Sequence, residues 1–473
     1  MTTNPLAPAW LDAPADANVL PAAVWSQSAR RAESGEVTIA GLGVPAIAAE
    51  FGTPVYVVDE DDVRSRARRI REAFEREFAL VGGSAKVYYA GKAFLCTEVA
   101  RWVTEAGLRI DVASGGELAV ALAAGVDPAR LGMHGNNKSL AEIDRAVSVG
   151  IGSIVIDSAG EVAHVADAAQ RHGREQPVLL RINSGVHAST HEYLATARED
   201  QKFGVPLADA PAVVDLIRSH SSLRFVGLHS HIGSQIFESD GFAEAARRLF
   251  DLHARILAGG EVPELNLGGG FGIAYTAADE PLDIDDIAAR FARIVADGAA
   301  RAGVPMPTIA IEPGRAVVGP STTTLYTVGT IKPVEVDVPG RDARAVRTYV
   351  SIDGGMSDNI RPALYGAAYS ARIVGRSSSA TPVLVRVAGK HCESGDIVVD
   401  AEYLPGDIAP GDLLGVPATG AYGWAMASNY NYLARPPVVA VRDGRARVIV
   451  RGETEADLLS RDVGAAPTKE VNG

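Results

Sequence analysis

A short apolar run, a polar or glycine-bearing tip, then an alanine-rich amphipathic stretch: this unit recurs from Val87 to just past Ile311. No other feature of the sequence restricts the fold so tightly. The apolar runs fall at Val87–Ala90, Arg109–Ala113, Leu131–His134, Ile154–Ile156, Val178–Ile182, Val226–Ser230, Leu265–Leu267 and Ile309–Ile311. Helical patterns such as Gly116–Ala124, Ser139–Val149 and Phe242–Leu257 lie between them. Eight strand–helix units over roughly 230 residues have the size and rhythm of a (β/α)8 barrel. A doubly wound open sheet is the competing arrangement. It would carry Gly-x-Gly-x-x-Gly after its first strand, and the sequence has none there.

After about Gly319 the pattern changes to separated strands punctuated by Gly and Pro, with few helices, which predicts an all-β second domain. The fold class is therefore α/β: a TIM-type (β/α)8 barrel plus a C-terminal all-β domain, joined by the N-terminal segment. Residues 1–30 lack periodicity and are expected to form a flexible arm, with residues 31–54 packing on the β domain. The barrel is expected over 55–319, a β-sandwich or barrel-like domain over 320–460, and a polar tail over 461–473.

The formal net charge of −13 argues against nucleic acid or an anionic membrane as partner. Residues Met1–Leu20 have neither the basic nor the apolar region of a secretory signal, and no apolar run is long enough to span a bilayer. The two cysteines, Cys96 and Cys392, cannot form a disulfide framework, so a cytoplasmic location is expected.

In a parallel barrel the strand tips converge on one face. Here those tips carry Lys92, Asp111 with Ser114, His134 with Asn136, Asp157, Arg181 with Asn183, His231, Gly268–Gly270, and Glu312 with Arg315. Lys92 ends Val-Tyr-Tyr-Ala-Gly-Lys-Ala-Phe, boxed in by small and aromatic residues, a setting that favours a nucleophilic amine able to form a Schiff base with an aldehyde cofactor. A surface lysine ending an edge strand is the plainer alternative. The glycines of Leu-Asn-Leu-Gly-Gly-Gly-Phe-Gly (Leu265–Gly272) let backbone N–H groups approach a phosphate, or make only a tight turn. Glu312-Pro313-Gly314-Arg315 sets a carboxylate suited to a pyridine nitrogen beside a guanidinium suited to a carboxylate. His229 and His231 share one strand face, but no third ligand follows at metal spacing, so no metal is expected. His231 suits stacking on a planar cofactor, and His229 suits a satisfied core position.

In the β region, Cys392 and Glu393 sit in a Gly/Ser-rich loop where the thiol is either a proton donor or inert. Arg361 and Tyr365 add a guanidinium and a phenol, and Tyr422 sits in a small-residue loop.

Taken together and in order, Tyr-Ala-Gly-Lys-Ala-Phe, His-Ile-Gly-Ser-Gln, Gly-Gly-Gly-Phe-Gly, Glu-Pro-Gly-Arg, Cys-Glu-Ser-Gly-Asp and Gly-Ala-Tyr resemble the diaminopimelate decarboxylase family. Its members are pyridoxal-phosphate enzymes on an alanine-racemase-like barrel, and the resemblance runs from about Gly41 to Leu459. It implies pyridoxal 5'-phosphate on Lys92, His231 stacked on the ring, and Glu312 at the pyridine nitrogen. Ser234, Gly269, Gly270, Gly314, Arg315 and Tyr422 would also serve the cofactor. Arg315, Arg361, Tyr365, Glu393 and Tyr422 would bind the amino-acid substrate, with Cys392 or Lys92 the final proton donor. The resemblance further implies decarboxylation of meso-diaminopimelate to L-lysine by a homodimer with shared active sites. Another basic amino acid (ornithine, arginine or carboxynorspermidine), or racemisation on the same barrel, is the alternative chemistry.

Overall fold

The computed structural model describes residues 4–185, 202–231 and 240–465. Two compact units emerge: one of Met1–Val63, Ile273–Glu280 and Val318–Gly473, the other of Arg64–Gly272 and Pro281–Val317.

The second unit is a closed barrel of eight parallel strands. They are β1 (Ser84–Ala90), β2 (Arg109–Val112), β3 (Leu131–Met133), β4 (Ser153–Ile156), β5 (Gln176–Asn183), β6 (Leu223–His229), β7 (Glu264–Asn266) and β8 (Thr308–Ile311). Each pairs with its sequence neighbour, and β8 returns to β1 with Thr308 opposite Ser84 and Ile311 opposite Val87. The strands are buried nearly throughout, as parallel strands covered by helices must be, and this is why they read as continuous apolar runs. Local chemistry marks the helix ends. Leu140–Val149 starts with a capping box between Ser139 and Glu142 and stops at Gly150 in the left-handed region.

The first unit is β-rich. A 16-residue strand, Thr322–Asp337, runs through it. A register shift between Val328 and Ile331 divides its pairing: Thr324–Thr327 meets Leu413–Val416, and Ile331–Asp337 meets Arg344–Val350.

Two features of this unit depart from expectation. Val55–Asp59 is placed by its pattern in the barrel segment 55–319. It instead pairs antiparallel with the long strand (Val55 opposite Leu325, Val58 opposite Thr322) and parallel with Val438–Arg442 (Tyr56 opposite Val438). An apolar strand followed by a helix has the same pattern in either sheet, so periodicity could not assign it. The N-terminal residues also pack rather than forming a free arm. Val24 and Trp25 are buried, and Leu6, Ala7 and Leu11 lie against Leu384, Ala401 and Tyr403. Arg31 donates to the carbonyls of Ile373 and Arg376 at 3.0 Å each. The apolar anchors among these, Leu6, Ala7, Leu11, Val24 and Trp25, are isolated residues in irregular backbone, so no period announces them. Trp25→Ala is accordingly expected to lower the stability of the β-rich unit by about 3–5 kcal/mol in chemical unfolding.

Candidate active site

At the C-terminal ends of the barrel strands lies a cavity of about 350 Å³, lined by Lys92, Asp111, Glu117, His134, Arg181, Phe203, His229, His231 and Glu312 among others. Strand β1 stops at Ala90, whose N–H donates to Pro313 O at 3.2 Å, and Gly91–Ala93 then form one tight turn. Gly91 is required because a Cβ there would meet Asp111 O at 2.8 Å. Gly314 backs the same turn: its Cβ would fall 2.9 Å from Ala90 O. Gly91 and Ala93 are buried but Lys92 itself is exposed, lining the cavity. The expectation of a boxed-in lysine is corrected here: the small neighbours pack the turn and leave the amine projecting.

The tips of β6, β7 and β8 meet closely. A Cβ on Gly269 would sit 2.2 Å from Glu312 O, and one on Gly268 (φ 73°) would sit 2.7 Å from Ser230 O. Gly269 N–H donates to His231 Nδ1 at 3.3 Å, which leaves the imidazole proton on Nε2. Burial, with the Lys92 ammonium next, pushes His231 down to about 3, so the ring is neutral.

Three side chains meet at the Glu312 carboxylate. Its Oε1 accepts from Asn266 Nδ2 at 2.8 Å and lies 3.0 Å from His229 Nε2 and 3.5 Å from His134 Nε2. Asn266 is fixed in turn, its Oδ1 accepting from Gly268 N–H at 2.8 Å. Burial pushes the Glu312 carboxyl up, but the surrounding imidazoles outweigh it and hold the group well below the usual carboxylate range. His134 and His229 are each pushed down to about 4 by burial, with Glu312 pulling the other way. Asp111 lies 3.1 Å from His134 Nε2, yet among the described residues neither of its oxygens has a hydrogen-bond partner. Burial and then the charge of Glu312 push its carboxyl well above the usual range. One anion, one neutral acid and neutral imidazoles therefore share this end of the barrel.

A lysine, a neutral imidazole and a carboxylate with one oxygen tied down thus face one cavity of ligand size. Residues 60–319 match the family described as pyridoxal-dependent decarboxylase, pyridoxal binding domain. The chain is 51% identical over 449 residues to a diaminopimelate decarboxylase of Mycobacterium tuberculosis, covering 93% of this chain and 98% of the relative. It is 42% identical over 445 residues to that of Bacillus subtilis, covering 92% and 97%. Among solved structures, diaminopimelate decarboxylase from M. jannaschii in complex with L-lysine matches with a TM-score of 0.83 at 30% identity, covering 93% of this chain and 98% of that one. The chain belongs to the pyridoxal-dependent decarboxylase family.

The donor set fits the cofactor of the pyridoxal-dependent decarboxylases. Lys92 offers the amine, Glu312 an anionic oxygen and His231 a flat neutral ring. Gly270 N–H makes no hydrogen bond among the described residues and is open to a phosphate oxygen. The barrel unit brings together Lys92, His231, Gly269, Gly270, Glu312 and Gly314; Arg315 is half-buried at the start of the turn Arg315–Val318. Ser234 lies outside the described residues. The remaining expected residues belong to the β-rich unit. Arg361 is 6% exposed, its guanidinium bonded to Tyr369 Oη and 4.4 Å over the Tyr275 ring. Tyr365 is 64% exposed, and Tyr422 is half-buried with φ 62°. Cys392 and Glu393 are exposed on a loop gathered at its base by Asp396, which accepts from Met356 N–H at 2.6 Å and His391 N–H at 2.8 Å.

Sequence reasoning gave His229 a core position and assigned no role to Asn266, His134 or Asp111. Their shared signal was position, one at the end of each of four strands, and only barrel closure makes those ends neighbours.

Proposed function

We propose that the protein decarboxylates meso-2,6-diaminopimelate to L-lysine and CO2, the last step of lysine biosynthesis. The observation that carries this reading is the convergence of Lys92, His231 and Glu312 on one cavity, in a chain half identical to diaminopimelate decarboxylases over nearly its whole length. Bound there, pyridoxal phosphate supplies a conjugated sink for the electron pair left at the substrate's α carbon when CO2 departs.

The chain's own residues hold and orient. Lys92 Nζ is the amine for the cofactor's aldehyde carbon, Glu312 the partner of its pyridine nitrogen, and His231 the flat wall beside its ring. Gly269, Gly270, Gly314, Ser234, Arg315 and Tyr422 serve its phosphate end. Diaminopimelate carries a second amino-acid centre at its far end. Arg315 and Arg361, with Tyr365 and Tyr422, suit that distal carboxylate, and Glu393 suits the distal ammonium. Cys392 Sγ or Lys92 Nζ returns a proton to the α carbon.

Exposure of Cys392 and Glu393 on a loop braced from below supports a homodimer in which this loop completes the partner's site. An exposed, unpaired thiol also suits a reducing cytoplasm, and among the described residues no helix is long and apolar enough to cross a membrane. The direct test is purified protein with pyridoxal phosphate, supplied in turn with meso-diaminopimelate and ornithine. Lysine and CO2 from the first, with the second a poor substrate, is the expected result. Turnover of ornithine alone would overturn the assignment.

A further inference from the structure

The side chains packed behind Glu312 have no assigned part in the reaction. Three strands converge on a single carboxylate oxygen: Asn266 from β7, His229 from β6 and His134 from beyond β3 all reach Oε1, at 2.8, 3.0 and 3.5 Å. Oε2 takes none of these contacts, and Glu312 lines the cavity. His229 is 1% exposed, and among the described residues neither of its ring nitrogens has an aligned hydrogen-bond partner; both oxygens of Asp111 are in the same condition. Unmet polar atoms at such depth are costly unless they serve a bound state. Hydrogen bonds in a site without its ligand are commonly long and misaligned, and tighten on binding.

We propose that His229 and His134 are positioning residues that act through Glu312. They immobilise Oε1 so that Oε2 alone is presented to the pyridine nitrogen of the cofactor, while Asp111 Oδ1, 3.1 Å from the same His134 Nε2 that faces Oε1, braces that ring. This rests on the reading of Glu312 as the pyridine's partner. Charge supports the division of labour, because the imidazoles are held neutral and Glu312 is the sole anion of the group. A neutral imidazole N–H orients the carboxylate without cancelling the charge that the pyridine N–H seeks. A cationic side chain in the same place would compete for that charge.

The test is a double-mutant cycle read on cofactor retention, which does not depend on which amino acid is turned over. Holoprotein is diluted into a cofactor trap, and loss of the bound cofactor's long-wavelength absorbance is followed with time. His229→Leu is expected to speed loss by about tenfold, and His229→Gln, which keeps an N–H donor, to restore most of the retention. In a Glu312→Gln background, His229→Leu is expected to add less than about twofold, because the residue through which it acts is already neutral. Equal effects of His229→Leu in both backgrounds would overturn the proposal. So would a His229→Gln variant no better than His229→Leu. Circular-dichroism melts establish that each variant folds; if His229→Leu does not, His134→Leu takes its place under the same criterion. His134, His229 and Glu312 also bring ligand atoms within 4.8 Å of one another, a spacing that a metal ion could use. Stoichiometric binding of Zn2+ by the cofactor-free protein, lost in every variant, would reassign the three as ligands and overturn positioning. Failure of the diaminopimelate assay with an intact His229–Glu312 coupling would instead overturn only the substrate assignment.

Discussion

Lys92→Ala should abolish both the absorbance of bound cofactor and the release of CO2 from diaminopimelate, lowering turnover on the order of 1,000-fold or more. The magnitude follows from what the lysine contributes. A covalent hold on the aldehyde carbon turns the encounter of substrate and cofactor into an exchange within one site, where well-oriented groups reach very high effective concentrations. The variant should otherwise be benign. Lys92 is exposed, and the turn that carries it is held by Gly91, Ala93 and the Ala90–Pro313 hydrogen bond, none of which involves its side chain. A far-ultraviolet spectrum and melting temperature close to those of the parent are expected beside the lost activity. Substantial turnover by a folded Lys92→Ala protein would remove the foundation of the proposed chemistry.

The second large effect concerns selectivity. Arg361→Lys is expected to reduce kcat/KM for meso-diaminopimelate by roughly 100-fold or more while changing that for ornithine little, so the preference between them narrows sharply. Lysine keeps the charge but loses the planar fork that grips a carboxylate through two bonds. Ornithine has no distal carboxylate to lose, so its residual turnover is the internal control. The conservative change also limits structural damage. Arg361 is buried against Tyr275 and Tyr369, and truncation to alanine would open a hole there. Steady-state kinetics on both substrates decide the matter. An equal fall for both would place Arg361 in the packing of the β-rich unit rather than in recognition.

The barrel was legible because buried parallel strands and amphipathic helices alternate with little interruption between Val87 and Ile311, leaving both periods readable. Lys92, His231 and Glu312 were legible for a related reason: a reactive side chain just past an apolar run is a strand tip, and barrel geometry brings tips together. What escaped depends on contacts that a linear reading does not contain. Val55–Asp59 has the pattern of a barrel strand, and only its partners, Thr322–Leu325 and Val438–Val441, decide its membership. The support behind Glu312 draws one residue from each of several strands, with no motif linking Asp111, His134, His229 and Asn266. Trp25 is a single aromatic in irregular chain, and its burial depends on a surface assembled hundreds of residues later.

The placement of Val55–Asp59 has a consequence for how the polypeptide can be divided. This strand lies between Thr322–Asp337 and Val438–Arg442, so the β-rich sheet interleaves an early piece of chain with two late ones, and the whole barrel is an insertion between them. On the ribosome, the barrel has all eight of its staves once Ile311 has emerged, while Val55–Asp59 waits for neighbours made long afterwards. A fragment beginning at Val318 would contain most of the β-rich first unit yet lack the strand Val55–Asp59. Two bare strand edges would then face each other across the gap, an invitation to pair with other molecules rather than to fold alone.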